Sequence, residues 1–518
     1  MNNQTQGQDY LSLALDLVSK KKALDFATAS VQDLEQDIAA HNEILKHFVE
    51  GRHDLACVKE EVNFTKADYA VLASEAKKRK RAAKLGLKES YKIPEDVFEK
   101  ALEAYKEDAS NAKFAKDMFG VTFDESLVQN KTILSIRHLK QFFGTGDNKT
   151  KAVHDVSFDV KEGECFGLVG ESGCGKTTTG RTIIGLYEPT SGAIYYKGYR
   201  IAAGTRWNRK EIKWSKIHAR EKIRDLNATF KEELADTSAP EEIEAMTKRH
   251  NETIKQLQAE LDAHVADQKK KIASIQYDNA HSSRKLRNEI QMIFQDPIDS
   301  LDPRMTVEDI ITEGLRIQGS YNREANREAV NDALRKVGLI PEYASRYPHE
   351  FSGGQRQRIG IARAMVMNPK VLICDEPISA LDVSIRAQVL NLLNKLKVDM
   401  GLTMLFIAHD LSVVKYFCDR IAVMYFGNMV ELATSDELFA HPLHPYTKAL
   451  LSAIPKPDPL SEKQRIRTVY NPATTHDYSK EKPTFREICP GHFVLCNSEE
   501  EAAYKAEVAR IDAAKGGK

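Results

Sequence analysis

The run Gly170-Glu171-Ser172-Gly173-Cys174-Gly175-Lys176-Thr177 constrains this chain more than any other segment. It directly follows the apolar stretch Cys165 to Val169, so the context reads strand, loop, then helix. The glycines let successive backbone N–H groups turn inward around phosphates. The positive end of the next helix faces the same anion. In such a loop Lys176 reaches the β- and γ-phosphates of a nucleotide. The hydroxyl of Thr177, followed by Thr178, is placed to hold Mg²⁺.

The chain has 518 residues, room for several domains at ~100–200 residues each. Basic and acidic residues balance, 75 against 75, so no nucleic-acid partner is expected. The seven cysteines include no CxxC pair. Cys489 and Cys496 lack the second pair that would make a metal site of them, so the cysteines read as reduced thiols. Cys174, inside the phosphate loop, is expected to be open to alkylation or oxidation that blocks nucleotide. No stretch approaches the ~20 apolar residues that span a bilayer. Met1 to Thr5 lacks the positive lead of a signal peptide. The chain is therefore expected not to cross a membrane by itself, though it can sit on one through a partner.

Residues 1–130 read as a helical extension. Leu11, Leu15, Val18, Leu24, Val31, Leu34, Ile38, Leu45 and Phe48 recur at near-helical spacing, giving helices near 8–30, 30–50, 65–84 and 95–116. The run Lys77 to Arg81 reads as a solvated helix face. A core domain spans 131–455. In it, Ile133 to Leu139 alternates as an edge strand does, Ala152 to Val160 gives another strand, and Gly192 to Gly198 resembles a strand entering a hairpin. Residues 205–288 interrupt this plan with two striped helices, the second carrying Ile243, Met246, His250, Ile254, Leu257 and Leu261. They form an antiparallel hairpin suited to a projecting arm. Ser238 with Glu241 resembles a capping box, and Pro240 suits the first turn.

From Glu289 the compact domain resumes. Val371 to Cys374 and Met404 to Ala408 are continuous apolar strands, as in a parallel sheet covered on both faces. Helices are expected over Glu324–Val337, Gln357–Met367 and Val383–Leu396. Residues 456–518 form a charged, poorly periodic tail apart from a final helix near Glu499 to Ala514. The fold class is α/β.

Further chemistry-bearing residues follow the loop in order. Gln295 stands at the end of an apolar strand, where its amide can ligate Mg²⁺ and sense the attacking water. Ser352-Gly353-Gly354-Gln355, behind Phe351, offers hydroxyl and N–H groups to an anion at a helix start. Its distance in sequence from the phosphate loop lets it serve a nucleotide held by another subunit. Asp375 and Glu376 end a hydrophobic strand, where α/β ligands bind. Asp375 fits Mg²⁺ support through water, and Glu376 fits orienting or deprotonating the attacking water. Ser379 to Asp382 follows and is suited to transmit the state of one site to the other. His409 ends another buried strand, within reach of a γ-phosphate.

Taken together, this set resembles the nucleotide-binding subunits of ABC transporters over roughly 133–200 and 289–455. The resemblance makes Gly170–Thr177 the Walker A loop, Gln295 the Q-loop, Phe351–Gln355 the signature and Asp375–Glu376 Walker B. It makes Ser379–Asp382 the D-loop and His409 the switch histidine. Phe351 stands where the signature usually opens with leucine. It also implies an aromatic that stacks on adenine, with Phe142 and Phe143 as candidates. Met292–Pro297, Ser300–Met305, His441–Leu451 and Pro490–Val494 are similar to the oligopeptide and dipeptide permease ATPases in particular.

That resemblance implies an ABC-type fold with a helical subdomain, hydrolysis of ATP with Mg²⁺, and a cytoplasmic-face location at the plasma membrane. The implied partners are two transmembrane permease subunits, a second ABC ATPase and an extracellular peptide-binding protein. It also implies that each ATP sits between one subunit's phosphate loop and the other's signature. Relatives that hold an iron–sulfur cluster use several cysteines; no cluster is expected here. An importer of another solute, such as nickel, is the alternative. DNA-maintenance ABC ATPases resemble the chain less, because their coil separates the Q-loop from the signature, whereas here it precedes Gln295.

Overall fold

The computed structural model describes residues 118, 120–144, 149–236, 239–281, 283–379, 381–454 and 468–516. The expected helices of the first 117 residues, the Lys77–Arg81 run, Ser238 and Ala380 lie outside the described residues. Met1–Phe119 and Gly120–Lys518 form two compact units, and all elements below belong to the second.

The phosphate-loop strand, β3 (Cys165–Val169), sits in the middle of a 12-stranded sheet. The strands before it in sequence are β1 (Thr132–Phe143) and β2 (Thr150–Lys161); β4 (Ser191–Tyr196) and β5 (Tyr199–Thr205) follow. Later come β6 (Ile290–Ile293), β7 (Val371–Asp375), β8 (Thr403–Ala408), β9 (Arg420–Tyr425) and β10 (Asn428–Thr434). The order is β5-β4-β1-β2-β10-β9-β3-β8-β7-β6. The half containing β9, β3, β8, β7 and β6 is parallel. The β5-β4-β1-β2 part is antiparallel. Every residue of β3, β7 and β8 is buried, which is why these strands read as unbroken apolar runs. β1 is no edge strand, contrary to its alternation: it is hydrogen-bonded on both sides, to β2 and β4. Its alternation fails because Ile133, Leu134, Ser135 and Ile136 are all buried.

The phosphate loop leads into α1 (Lys176–Ile183). The interruption of the sheet is α2 (Arg206–Asp236) and α3 (Pro240–His281), which pack on each other. At 1.5 Å per residue these run ~46 and ~63 Å. Their shared stripe, including Ile243, Ile254 and Leu261, is half-buried. Only Val265, Gln268, Ile275 and Asp278 of α3 are fully buried, all near its root. There Asn279 lies along β5: its Oδ1 accepts from Ala203 N at 3.0 Å and its Nδ2 donates to Ala203 O at 2.9 Å. Asp278, fully buried, accepts from Arg200 Nε at 2.6 Å and from Thr122 N at 3.2 Å.

The helical subdomain is α4 (Val307–Ile317), α5 (Arg323–Lys336) and α6 (Gly353–Met365). They meet through the buried Ile310, Ile311, Val330, Leu334, Ile359 and Ala362. α6 starts at Gly353, earlier than the expected Gln357, because Ser352 caps it and Gln355 closes a capping box. After β7, α7 (Val383–Met400) ends at Gly401, which has a positive φ of 60°.

The tail is built into the sheet. Beyond α8 (Ser435–Ala440) and α9 (Pro445–Ser452), β11 (Thr484–Cys489) and β12 (His492–Cys496) make a hairpin whose β12 pairs with β10. The final helix is α10 (Ser498–Gly516). The hairpin escapes periodicity because the first half of β11 keeps Thr484, Phe485 and the charged Arg486 and Glu487 out of the core.

Candidate functional site

The register of the parallel strands assembles the site. Val169 pairs with Ala408, Asp375 with Ile407, and Ile293 with Cys374. Gly170, His409, Glu376 and, after a further residue, Gln295 therefore leave neighbouring strands at the same carboxyl edge. Ligands of open α/β sheets bind at that edge.

The loop's glycines are required. Gly170 has φ 150° and Gly175 φ 106°. A Cβ on Gly170 would lie 2.2 Å from Met424 O, and one on Gly175 2.3 Å from Ala152 O. Gly173, at φ 81°, has open space around it. Glu171, Ser172 and Gly173 form the exposed lip, whereas Cys174, Gly175 and Lys176 are buried. The Lys176 ammonium donates to Gly170 O at 2.8 Å and Glu171 O at 2.9 Å. Thr178 is half-buried, its carbonyl accepting from Thr182 Oγ1 at 2.7 Å.

Cys174 is 6% exposed, and burial pushes its thiol above the ordinary range despite Lys176 nearby. The expected easy alkylation is thereby corrected, because a buried, protonated thiol is a poor nucleophile.

Thr177 Oγ1 donates to Asp375 Oδ1 at 2.8 Å. Asp375 is fully buried, and its Oδ2 has no hydrogen-bond partner. Burial raises its carboxyl above the usual range, partly offset by the Thr177 hydrogen bond. A hydroxyl beside a buried carboxylate with an unused oxygen suits a hard divalent cation such as Mg²⁺.

Glu376 takes a left-handed backbone, φ 43°, uncommon for a residue with a Cβ. Its N–H continues the ladder to Ile407 O at 3.0 Å. Its Oε2 lies 2.9 Å from His409 Nδ1 and 3.4 Å from Gln295 Nε2. The carboxylate is thus bracketed by two groups from adjacent strand ends. The Gln295 amide nitrogen is spent on Glu376, which leaves its carbonyl oxygen for a cation.

The structure brings Lys176, Thr177, Asp375, Glu376, Gln295 and His409 together. Among the described residues, no hydrogen bond joins the Ser352–Gln355 segment to these side chains. Ser352 N donates to Gln355 Oε1 at 3.0 Å, and Gln355 N to Ser352 Oγ at 3.4 Å. A Cβ on Gly354 would meet Ile385 at 2.6 Å, and one on Gly353 would meet Leu381 at 4.0 Å. The segment therefore lies against its own chain's Leu381 and α7. Asp382, exposed, caps α7 without a side-chain hydrogen bond. Ser379 Oγ donates to Glu376 O at 3.0 Å, joining this segment to the carboxylate strand.

Phe142 is half-buried with the Arg206 guanidinium 5.7 Å from its ring centre. Phe143 is 37% exposed and edge-on to Tyr187 at 5.1 Å.

One contact is absent from the sequence reading. Glu171 N donates to Tyr446 Oη at 3.0 Å, so α9 of the tail reaches the lip of the phosphate loop. Behind it, His444 Nδ1 accepts from Tyr446 N at 3.1 Å. Burial drives the His444 imidazole down to about 3. The sequence signal was a Tyr just inside a Pro-started helix, and nothing local points to a partner 275 residues away.

With this geometry in place, likeness to known proteins is informative. The ABC transporter family model matches residues 153–274 and 265–379. The oligopeptide/dipeptide transporter C-terminal region matches 430–496. The oligopeptide transport ATP-binding protein OppF of Bacillus subtilis (strain 168) is 46% identical over 375 residues, 72% of this chain and 98% of that protein. AmiF of Streptococcus pneumoniae, another oligopeptide transport ATP-binding protein, is 44% identical over 377 residues, covering 73% and 98%. The dipeptide transport ATP-binding protein DppF of Lactococcus lactis is 42% identical over 383 residues, covering 73% and 98%. Among solved structures, cbiO1 from Clostridium perfringens, part of an ABC transporter complex, is 22% identical. It covers 60% of this chain and 92% of its own, with a TM-score of 0.40. The strand-end constellation and near-full-length relatives agree: this chain belongs to the ABC transporter family, in the group of oligopeptide and dipeptide transport ATP-binding proteins.

Proposed function

We propose that the chain is the ATP-hydrolysing subunit of an importer for oligopeptides or dipeptides. The observation that carries the chemistry is Glu376 Oε2, held 2.9 Å from His409 Nδ1 and 3.4 Å from Gln295 Nε2. A carboxylate so oriented acts as general base toward water at the γ-phosphorus. His409 holds the carboxylate and donates to the γ-phosphate. Lys176 exchanges its hydrogen bonds to Gly170 O and Glu171 O for the β- and γ-phosphates, while the loop N–H groups donate to the remaining phosphate oxygens. Thr177, Asp375 and the Gln295 carbonyl oxygen would hold Mg²⁺, which when bound would supply positive charge beside the transferring phosphoryl group. The exposed Phe143 ring, or Phe142 beside it, stacks on adenine.

Ser352, Gly353, Gly354 and Gln355 contact nucleotide held by a second ATPase subunit, and Asp382 lies at that interface. The support is that Gly353 and Gly354 lie against Leu381 and Ile385 of their own chain, and that Ser352 and Gln355 hydrogen-bond each other. Closing and reopening of the two subunits would drive two transmembrane permease subunits, to which a peptide-binding protein delivers cargo. No described helix is long and apolar enough to cross a membrane. The reading places the chain as a peripheral subunit on the cytoplasmic face. Residues 1–130 and the 205–288 arm are accessory to this chemistry.

The deciding experiment is purification from native membranes in mild detergent, followed by mass spectrometry of what remains bound. Two multi-span subunits with a second ATPase support the reading, and peptide-stimulated turnover of that complex identifies the cargo. Recovery with ribosomes or nucleic acid, and no membrane subunit, would overturn it.

A further inference from the structure

A second polar cluster, sharing no residue with the nucleotide site, lies where the tail hairpin meets α8. The hairpin turns through Pro490-Gly491, with Gly491 at φ 78°, and its register sets Cys489 opposite His492. Glu437 projects from α8, and His441 follows it one turn later. Three groups converge on a single oxygen, Glu437 Oε1. His441 Nδ1 is 2.9 Å away, His492 Nδ1 3.3 Å and Cys489 Sγ 3.5 Å. A carboxylate has about two lone-pair directions per oxygen, so three neighbours over-subscribe it.

The far side of each imidazole is also fixed. His492 Nε2 lies 2.8 Å from Glu431 Oε1, and both side chains are fully buried. Glu431 also accepts from Leu443 N at 2.8 Å and His444 N at 3.0 Å, so its carboxylate cannot swing away. His441 Nε2 lies 3.1 Å from Asp512 Oδ1. A carboxylate behind each imidazole, anchoring one nitrogen and leaving the other aimed inward, is the outer shell of histidines that bind metal.

Thiol, imidazole and carboxylate atoms of Cys489, His492 and Glu437 all lie within 4.8 Å of one another. A tetrahedral Zn²⁺ with bonds of ~2.0–2.3 Å sets its ligand atoms ~3.3–3.8 Å apart, close to the separations of His492 and Cys489 from Glu437 Oε1. We propose that Cys489, His492 and Glu437, joined by His441, hold one Zn²⁺ and thereby tie the β11–β12 hairpin to α8. Thiolate and imidazole ligands favour zinc over Mg²⁺ or Ca²⁺, which take oxygen shells. Binding releases to solvent the Cys489 thiol proton and any proton that the ligating imidazole nitrogens donate to Glu437, with no change of oxidation state. A cluster needing several thiolates is not served here. Cys496, the next cysteine along, is buried among Leu443, Ile488, Val494 and Tyr504.

The test uses the full chain, freed of metal by a chelator, without nucleotide, and titrated with Co²⁺ as the spectroscopic probe. The expected result is one Co²⁺ per chain, with tetrahedral d–d bands and a thiolate-to-cobalt charge-transfer band, both bleached by Zn²⁺. Cys489→Ser removes the charge-transfer band while circular dichroism stays unchanged, which separates this thiol from Cys174. Asp512→Asn, an exposed change behind His441, weakens Zn²⁺ binding by roughly 10–100-fold and leaves the band in place. Absence of a charge-transfer band in the folded parent protein overturns the site. So does an unaltered band in Cys489→Ser, or unchanged Zn²⁺ affinity in Asp512→Asn should Cys489→Ser fail to fold. None of these readouts depends on ATP hydrolysis or on the transporter reading.

Discussion

At two positions of the loop after β3, Gly170 and Gly175, the backbone leaves no room for one extra methyl group, whereas along α2 and α3 most of the helix surface is open. Gly170 and Gly175 touch carbonyl oxygens of Met424 and Ala152 so closely that a Cβ would overlap them. Fully buried residues of α3 are confined to Val265 and beyond. The first region fixes charge in space through backbone and buried side chains. The second gains what order it has from a half-buried stripe shared by two helices. A site that must hold a carboxylate within hydrogen-bond reach of two neighbours needs the first kind of construction. An appendage that must only reach does not.

The largest expected effect falls on the strand ends. Glu376→Gln keeps ATP binding and lowers turnover by about 10²–10⁴-fold, measured as steady-state phosphate release beside nucleotide affinity. Near-normal hydrolysis would remove Glu376 as the base. Gly175→Ala probes the close contact with Ala152. It places a Cβ against Ala152 O at a positive φ, so nucleotide binding should be lost and stability should fall by about 1–3 kcal/mol in denaturant melts. Tolerance of that alanine would break the contrast between the two regions.

A smaller effect concerns the tail segment that touches the loop. His444 is buried and its imidazole is held down to about 3 from 6.5. The folded state therefore binds fewer protons than the unfolded chain between those values. This contribution is complete above pH 6.5 and is lost as pH falls toward 3, by at most about 1.4 kcal/mol per pH unit. His444→Asn retains an acceptor for Tyr446 N without titrating, so its stability should decline less steeply in acid. An identical acid limb would sink the assignment.

Tyr446→Phe removes only the hydrogen bond to Glu171 N, worth about 1 kcal/mol. The expectation is a several-fold rise in KM for ATP with little change in kcat. Excising 212–262 and joining the ends through a short Gly-Ser linker should alter nucleotide affinity least, by less than about twofold. The cut is geometrically natural, since Glu211 and His264 face each other across the hairpin at 3.8 Å. Loss of nucleotide binding in that folded variant would show that the arm is part of the site.

How much of this was readable without coordinates follows from range. The phosphate loop, Asp375, Glu376 and His409 each sit where an unbroken apolar run stops, and that local signal survives in the sequence. The arm was equally readable, because its 3.6-residue stripe needs only its own helices. What could not be read depends on distant pairing. β1 looked like an edge because alternation cannot report whether one neighbour or two will bond to it. The β11–β12 hairpin hid behind charged residues facing solvent, although β12 completes the sheet beside β10. Tyr446 belongs to the loop only because β9, β10 and α9 bring it back. The start of α6 was misplaced since two glycines disguise a helix that Ser352 and Gln355 cap.

Asn279 carries a consequence for handling the protein. Its amide occupies the outward-facing N–H and C=O of Ala203, so it mimics a short neighbouring strand at the β5 margin. An uncovered margin invites pairing with another chain and growth into insoluble aggregates. Any shortened form should therefore keep the root of α3 through Asn279. Removing the whole insertion is expected to lower solubility by uncovering β5.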